Sequence, residues 1–316
     1  MKHSYPKFIK SSLKSVYRIF SRKVLKKALH FGKAAGKRIY SMPEANGIIA
    51  QAIKSGKPCM IARFGSVENL ILADSILLEL GLLKRYPHSH VSMLCNNAGF
   101  FPSDEDSIKR FAALMKESAA QADLLGVWNE ILEDYIIGTY SPNAEVAELA
   151  ALEPYYHTAP WSAYLKGKKV LVIHPFAESI KLQYEGKRSL LFKSPEVLPT
   201  FELKTIKAVQ TISGNKSVYK DWFEALDNMT QQALNTDFDV ALIGAGAYGF
   251  PLAARIKAAG KQAVHLGGAL QILFGIKGKR WEDVREVAQL FNEHWVRPLE
   301  SEVPQNFTSV EKGCYW

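Results

Sequence analysis

Short apolar runs alternate with helical stretches along most of the chain. The runs have the length and composition of buried β-strands, and they span Pro58–Arg63, Asp123–Val127, Lys169–Ile173, Lys204–Ile212, Asp239–Ile243 and Ala263–Leu266. Helices are expected between them, including Ala177–Tyr184 and Tyr219–Leu234. Strands that alternate with helices predict a parallel sheet covered on both faces. We therefore predict an α/β fold, Rossmann-like, with a mostly parallel sheet and helices on both faces.

Residues that favour helix ends predict where helices begin and end in the first third of the chain. Ser41 followed by Glu44 is typical of a capping box, and that helix should end near Gly56. A second helix should follow Phe64 and reach about Leu83. The polar stretch Asn96–Pro102 then indicates a loop, and Ser103–Asp106 begins another helix with acids in its first turn.

The positive charge of the chain is concentrated at its N-terminus. Residues 1–40 hold 12 of the 40 Lys and Arg and none of the 31 Asp and Glu, so the remainder has 40 − 12 = 28 basic against 31 acidic residues. Apolar residues recur there near helical spacing, namely Phe8, Ile9, Leu13, Val16, Tyr17, Phe20, Val24 and Leu25. This predicts a basic amphipathic arm over 1–40, suited to an anionic membrane surface or to simple helix packing. Nucleic acid is the weaker alternative, because the rest of the chain has no nucleic-acid-binding motif.

Other bulk features narrow the class of protein. No apolar run reaches the length of a membrane span, and no signal-peptide pattern is present. Three widely spaced cysteines favour a reducing, cytoplasmic compartment. Residues 41–316 are predicted to form one catalytic domain, with a possible seam in the aromatic- and proline-rich region 142–168. The terminal Tyr315 and Trp316 predict an aromatic tail that packs back onto this domain.

A glycine loop gives the first indication of a ligand. The strand ending at Ile243 runs into Gly244-Ala-Gly246-Ala-Tyr248-Gly249, and Pro251 opens a helix. Such a loop brings backbone N–H groups and a helix N-terminus up to an anionic ligand. A dinucleotide site also needs an acidic residue at the tip of the next strand, where this chain has His265 followed by Gly267 and Gly268. The loop therefore fits phosphate or sugar contact better than a complete dinucleotide site, although a tight turn alone would also use these glycines.

A second motif lies where the Pro58–Arg63 strand meets its helix. Arg63 can pair with a diphosphate, Gly65 allows close approach, and Glu68 could ligate a divalent metal that bridges phosphate oxygens. The plainer alternative is a helix start with Ser66 as the N-cap and Glu68 in the first turn.

The order of the two motifs resembles that of the GT-D glycosyltransferases, a bacterial family first catalogued as a domain of unknown function. The resemblance covers roughly residues 45–275. The first family motif is R-[FI]-G-D-G-E, whose two carboxylates are associated with metal and nucleotide-sugar binding; Arg63, Gly65 and Glu68 match it, and Ser66 replaces the aspartate. The second, of the type A-[IV]-D-[IL]-G-H, corresponds to 263–268 and matches at the glycine. The segment Ile173–Ile180 also looks similar.

The resemblance implies transfer of a sugar from a nucleoside-diphosphate sugar to a glycan, lipid-linked glycan or glycoprotein acceptor in bacterial surface polysaccharide assembly. It implies a divalent metal, Mn²⁺ or Mg²⁺, with Glu68 as ligand, although the exchange at Ser66 weakens that expectation. Nucleotide-sugar contacts are then expected from Arg63, Gly65, Ser66, Gly244, Gly246, Tyr248, Gly249, Gly267 and Gly268.

The remaining site candidates come from their positions after predicted strands. Glu178 and His265 are candidates for the catalytic base, and Asn96, Asn97 and Trp128 for an acceptor or sugar pocket. Two rival functions stay open at this point. One is an NAD(P)-dependent oxidoreductase that uses the glycine loop, and the other is a non-catalytic nucleotide-binding or assembly protein. A lipid-linked acceptor would place a cytoplasmic enzyme at the inner face of the membrane.

Overall fold

The computed structural model of the chain describes residues 5–23, 32–310 and 313–316. Nine strands form one sheet: β1 (Lys33–Ala34), β2 (Lys37–Tyr40), β3 (Cys59–Arg63), β4 (Leu124–Val127), β5 (Glu145–Glu148), β6 (Lys169–His174), β7 (Glu202–Lys207), β8 (Val240–Ile243) and β9 (Gln262–His265). The helices are α1 (Tyr5–Lys23), α2 (Met42–Ser55), α3 (Ser66–Glu79), α4 (His88–Ala98), α5 (Glu105–Ala119), α6 (Glu133–Tyr140), α7 (Ala177–Leu191), α8 (Trp222–Leu234), α9 (Gly249–Ala258), α10 (Leu270–Leu273), α11 (Lys279–Glu282) and α12 (Arg285–Ala288).

The sheet is parallel except at one edge, as the alternation of strands and helices predicts. Its strand order is β1-β2-β5-β4-β3-β9-β8-β6-β7, and only the β1–β2 pair is antiparallel. In the centre, Ile61 on β3 lies opposite Leu124 on β4 and Val264 on β9. Such strands are buried on both faces and therefore read as nearly continuous apolar runs.

Two hydrophobic cores cover the two faces of the sheet. On one face α3, α5, α8 and α9 pack over buried residues such as Ile71, Phe111 and Trp222. On the other, α2, α7 and α10 pack with the C-terminal segment over residues such as Ile49 and Ile180. Helix α7, which follows β6, and helix α9, which follows β8, lie on opposite faces of the sheet. The chain therefore leaves these two neighbouring strands in opposite directions, and a crevice lies at their carboxyl ends.

The helix-end signals that the sequence carries are confirmed at α2. Ser41 and Glu44 form a complete capping box, and Gly56 ends the helix with φ 68°, in the left-handed region where glycine is favoured. At α5, Asp104 caps the helix by accepting from the N–H of Ser107 at 2.9 Å.

Several predicted boundaries are wrong. The strand predicted over Lys204–Ile212 is β7, which ends at Lys207, and Ile212 lies in a 3₁₀ turn. Helix α3 ends at Glu79 instead of Leu83. The loop predicted at Asn96–Pro102 begins inside α4, which the sequence analysis missed because its polar residues outnumber its apolar ones.

The division of the chain at residue 40 also does not match the structure. Strand β2 pairs with β5 through Ile39 and Tyr40, so residues before 41 belong to the main sheet. The predicted amphipathic helix is present over Tyr5–Lys23 as α1, which packs against α6, while the predicted positions Val24 and Leu25 lie outside the described residues. The possible seam at 142–168 contains β5 and three 3₁₀ turns, and it carries the chain across the sheet from β5 to β6.

The predicted aromatic tail packs back onto the body. Trp316 is buried against Phe176 and Phe307, with ring centroids 6.2 and 5.6 Å away. Within the described residues, no helix is both long enough and apolar enough to cross a membrane.

Candidate functional site

The carboxyl ends of five neighbouring strands, β4, β3, β9, β8 and β6, surround one cleft. Its empty volume is about 1000 Å³, including the open mouth. Most of the predicted site residues line it: Arg63, Gly65, Ser66, Glu68, Asn97, Trp128, Gly244, Gly246, Tyr248, His265, Gly267 and Gly268. Residues far apart in sequence therefore meet here because parallel strands all end at the same edge of the sheet. We call this space the main cleft.

The glycines of the 244–249 loop are required by close approach. A methyl group on Gly244 would stand 2.6 Å from the carbonyl oxygen of Gly267 and 2.7 Å from the ring of His174. Gly246 has φ 53°, a conformation that disfavours larger residues. The loop continues through a 3₁₀ turn, Gly246–Tyr248, into α9, and the N–H groups of Tyr248 and Gly249 donate to the carbonyls of Ala245 and Gly246. The loop backbone that borders the cleft is therefore that of Ala245 and Gly246, ahead of the helix.

The neighbouring helix N-termini at this edge are already covered by carboxylates of the protein. Glu302 accepts from the backbone N–H groups of Glu178 and Ser179 at the start of α7, at 2.8 and 3.2 Å. At the start of α3, the Glu68 carboxylate lies over Gly65, where an added methyl group would meet it at 1.9 Å. Ser66 is the first residue of α3 and Gly65 is its N-cap, so Ser66 does not have the predicted capping role. An incoming anion would therefore meet the backbone of the glycine loop, which borders the cleft ahead of α9.

Arg63 holds a fixed position at the floor of the main cleft. Its guanidinium carbon lies 4.4 Å from the centre of the Trp128 ring, and Nη1 donates to the carbonyl of Phe64 at 3.0 Å. A methyl group on Gly267, whose φ is 62°, would stand 2.6 Å from Nη2. Burial lowers the pKa of Arg63 while Glu68 raises it, and a guanidinium stays protonated in proteins. The cleft thus contains a permanent, oriented positive charge.

The side chains around Glu68 do not fit a metal ion held by the protein alone. Among the described residues, no group of three or more His, Cys, Asp or Glu side chains is placed to hold a metal. Burial raises the pKa of Glu68, and the nearby guanidinium of Arg63 opposes that shift. At the predicted second ligand position, Ser66 offers a neutral hydroxyl. One carboxylate beside an arginine is a poor donor set for Mn²⁺ or Mg²⁺, which prefer several oxygen ligands.

Two buried histidines line the cleft, and both are neutral. Burial lowers the pKa of His265 to about 3, with a further contribution from Arg63, and burial alone does the same for His174. Nδ1 of His174 accepts from the N–H of Phe176 at 2.9 Å, so the proton of its neutral ring is on Nε2. His174 lies at the end of β6, and the sequence analysis named its loop without selecting it.

A buried carboxylate on α6 fixes the loop that carries Trp128. Glu133 accepts from the backbone N–H groups of Trp128, Asn129 and Glu130 at 2.6 to 3.2 Å. Burial raises the pKa of Glu133 to about 7, although these donors favour its charged form. The sequence offered no signal for this contact, because Glu133 reads as an ordinary acid in a helical first turn.

A second space, the side cavity, adjoins the main cleft. The two share Arg63, Ser66, Trp128, Gly268 and Arg280 as a common wall. Its other lining is mostly apolar, with Leu149, Leu152, Tyr156, Leu266, Trp281, Val284 and Val287, and one carboxylate, Glu153.

Glu153 is the carboxylate of this cavity, and the sequence analysis did not select it. Burial raises the pKa of Glu153, opposed by a hydrogen bond from the Tyr155 hydroxyl and by the charge of Arg63. No sequence pattern points to it, since it lies in an irregular stretch between β5 and β6.

The C-terminal segment completes the wall between the two spaces. Arg280 lies 4.7 Å from the Tyr315 ring centre and donates to the Tyr315 hydroxyl at 3.2 Å. A methyl group on Gly268 would stand 2.6 Å from the same ring. Arg280 is thus a half-buried charge that borders both spaces.

Three predicted site residues do not line the main cleft. Glu178 is exposed in the first turn of α7, so it is removed from the base candidates that face this site. Asn96 donates from Nδ2 to Asn97 and to the carbonyl of Ser309, at 2.7 and 3.2 Å, and so holds the C-terminal segment in place. Gly249 lies behind the cleft, against His265.

A parallel sheet with a glycine loop and a cleft at its carboxyl edge defines an α/β protein of the kind that binds ligands at that edge. Comparison with family models is more specific. The model of the GT-D fold-like domain matches residues 41–273, and the chain belongs to this GT-D-like family. Membership assigns the protein to the glycosyltransferase class of enzymes. A comparison with curated proteins gave no match.

Two solved structures are similar to the chain in fold. One, described as "The highly conserved domain of unknown function 1792 has a distinct glycosyltransferase fold", has 13% identity and a TM-score of 0.43, over 85% of this chain and 93% of that chain. The other, a selenomethionine-substituted structure of domain of unknown function 1792, has 12% identity and a TM-score of 0.42 with the same coverage.

Proposed function

We propose that the protein transfers a sugar from a nucleoside-diphosphate sugar to the hydroxyl of a glycan, lipid-linked glycan or glycoprotein acceptor. One observation carries this proposal. Arg63 and Arg280 lie in the common wall of two adjoining spaces, and the glycine loop that precedes α9 borders the first of them. A transferase needs such an arrangement, because its two substrates must meet beside the groups that stabilise the leaving diphosphate.

The donor fits the main cleft by charge and by backbone geometry. Its diphosphate would accept hydrogen bonds from the glycine-loop backbone at Ala245 and Gly246 and from Arg63, whose planar fork suits two phosphate oxygens. Nε2–H of the neutral His174 is a further donor in the same cleft. These groups remain in place as negative charge develops on the leaving diphosphate. The side chains do not supply a metal site, so no step is assigned to a divalent ion.

The acceptor is assigned to the side cavity. In a direct displacement, the bond from the anomeric carbon to the diphosphate oxygen breaks while a bond to the acceptor oxygen forms, and the acceptor proton must go to a base. Glu153 is the carboxylate that lines this cavity, and its raised pKa makes it a stronger base than an ordinary glutamate. His265 is a poor base by comparison, because its pKa of about 3 gives it little affinity for a proton.

Surface polysaccharide assembly is the process that we propose for this transfer. Its support is the likeness of the motifs to a bacterial glycosyltransferase family and the basic N-terminal stretch. A lipid-linked acceptor would place the protein at the cytoplasmic face of a membrane.

A thermal-shift screen tests the proposal. Nucleoside diphosphates and nucleotide sugars should raise the unfolding temperature, whereas NAD(P)H should not. A shift with NAD(P)H and none with any nucleoside diphosphate would replace the proposal by the oxidoreductase alternative. If nucleotide sugars bind but no sugar is transferred or hydrolysed in their presence, the non-catalytic alternative applies instead.

A further inference from the structure

The N-terminal helix α1 is attached to the body by a narrow, mostly polar face. Phe8 packs edge-on against Tyr135, with ring centroids 5.6 Å apart. Ser15 Oγ accepts from the N–H of Leu132 at 3.0 Å, and Ser11 Oγ accepts from the N–H of Tyr135 at 3.2 Å. Two serines of α1 therefore cap the first turn of α6, whose N–H groups lack intrahelical partners. The docking of α1 is specific, and it satisfies buried polar groups.

The outward face of the same helix is apolar. Five large side chains are each between 54% and 67% exposed, at spacings of four, four, three and one residues: Tyr5, Ile9, Leu13, Val16 and Tyr17. These spacings put them on one side of a helix, about a third of a turn from the docked face. Single exposed apolar residues are ordinary, but a continuous stripe marks an interaction surface.

The charged residues of α1 itself are all basic, and one of them, Lys14, pairs with Asp134 of α6. Lys7 and Lys10 are exposed on α1, and residues 1–40 contain 12 basic residues and no acid. Apolar side chains flanked by lysines match the two components of a bilayer surface, acyl chains below and anionic headgroups above. A second copy of this helix would bring like charges together. Nucleic acid would satisfy the lysines and leave the apolar stripe in water.

We propose that the outward face of α1 binds an anionic membrane surface, with the helix lying in the plane of the interface. The inference does not depend on sugar transfer. It does have a consequence for the site, because α1 caps α6 and Glu133 of α6 holds the Trp128 loop. The membrane-bound helix is thus joined to the wall of the main cleft through a short series of hydrogen bonds.

Vesicle co-sedimentation with a double variant tests the proposal. Leu13→Ser with Val16→Ser removes two of the five side chains of the apolar stripe without touching a buried group. It should weaken binding to phosphatidylglycerol-containing vesicles at least tenfold, because even partial burial of two aliphatic side chains contributes that much. The matched control is Leu182→Ser with Val218→Ser, two exposed residues elsewhere on the chain, and it should bind like wild type. Lys7→Gln with Lys10→Gln should weaken binding mainly at low salt.

Several results would overturn the proposal. Equal vesicle binding by the double variant and wild type is one, and equal binding to purely zwitterionic vesicles is another. A concentration-dependent increase in mass by light scattering that the double variant abolishes would assign the stripe to self-association, and loss of duplex DNA or RNA binding in that variant would assign it to nucleic acid. Nucleotide thermal shifts should be the same in wild type, in Leu13→Ser with Val16→Ser and in the control Leu182→Ser with Val218→Ser. A failed transferase assay would therefore leave the result for membrane binding unaffected.

Discussion

Gly249 and His265 touch across the glycine loop with no room for a side chain between them. A methyl group on Gly249 would lie 2.4 Å from Nε2 of His265, and its φ of −60° is ordinary, so the constraint is one of space alone. The contact lets the start of α9 come down onto the end of β9. It therefore fixes the position of the glycine loop that borders the main cleft.

Gly249→Ala should destabilise the protein by about 1–3 kcal/mol, the usual cost of overpacking a buried contact. Its nucleotide affinity should fall as α9 moves outward. Thermal unfolding and nucleotide titration measure the two effects. Gly186→Ala is the matched control, since nothing lies within 4 Å of a methyl group there, and this helical substitution should leave the protein equally stable or more stable. Equal behaviour of the two variants would contradict the steric argument.

Arg63→Lys keeps the charge and removes the planar fork that rests on Trp128. We expect nucleoside-diphosphate affinity to fall by roughly tenfold or more, because a charge-assisted bidentate contact is replaced by a point charge. Isothermal titration would measure it. Arg38→Lys, at an exposed position on β2, is the control and should bind normally. An affinity of Arg63→Lys within twofold of wild type would show that the diphosphate lies elsewhere.

Glu153→Gln should lower kcat by roughly 10²–10⁴-fold, the range for loss of a general base, while the donor Kd stays unchanged. The variant keeps the size of the side chain and the hydrogen-bonding partner of Tyr155. Glu148→Gln, an exposed carboxylate at the end of β5, should have wild-type kinetics. If the two variants transfer sugar equally well, Glu153 is not the base.

Stability should decrease as the pH falls below 6.5, in part because of His174. Its pKa is about 3 in the folded chain and about 6.5 in the unfolded chain, so between these values the unfolded chain binds a proton that the folded chain does not. The loss should be about 2 kcal/mol at pH 5 relative to neutral pH. His174→Asn keeps an acceptor for the Phe176 N–H and removes the titration. Chemical denaturation at both pH values should therefore give a smaller difference for this variant, and an undiminished difference would contradict the assignment.

Divalent metal should have little effect on the protein without nucleotide. The side chains around Glu68 do not form a metal site, so Mn²⁺ or EDTA alone should leave the unfolding temperature unchanged. Ser66→Asp tests whether the missing carboxylate is the cause. It restores the second carboxylate of the family motif, so Mn²⁺ should measurably raise the unfolding temperature of this variant. A shift by Mn²⁺ in the wild-type protein would mean that Ser66 and Glu68 already suffice.

Much of the site follows from the sequence because of one rule about parallel sheets. Arg63, His265 and Gly244 each end a buried apolar run, and the carboxyl ends of such runs must meet at one edge. The interior strands were located for the same reason. The strands β2 and β5, towards the β1 edge of the sheet, carry little apolar signal, and neither was predicted.

The residues that sequence reasoning missed owe their roles to contacts from distant parts of the chain. Glu153 lies in an irregular segment, and Arg280 reaches the site only because Tyr315 packs over Gly268. The prediction of Glu178 as a site residue was wrong for the opposite reason. It follows a strand end as the rule requires, but Glu302 occupies the adjacent helix terminus and the Glu178 side chain turns to solvent. No local pattern reports such long-range contacts.

The cap that Glu302 provides for α7 limits where the chain can be truncated. Family likeness ends at residue 273, yet the carboxylate that closes α7 and the arginine that borders both spaces come from beyond it. A fragment cut at the end of the matched region would keep every recognisable motif and expose two backbone N–H groups beside an incomplete site. Chimeras between relatives should therefore exchange the tail together with the body.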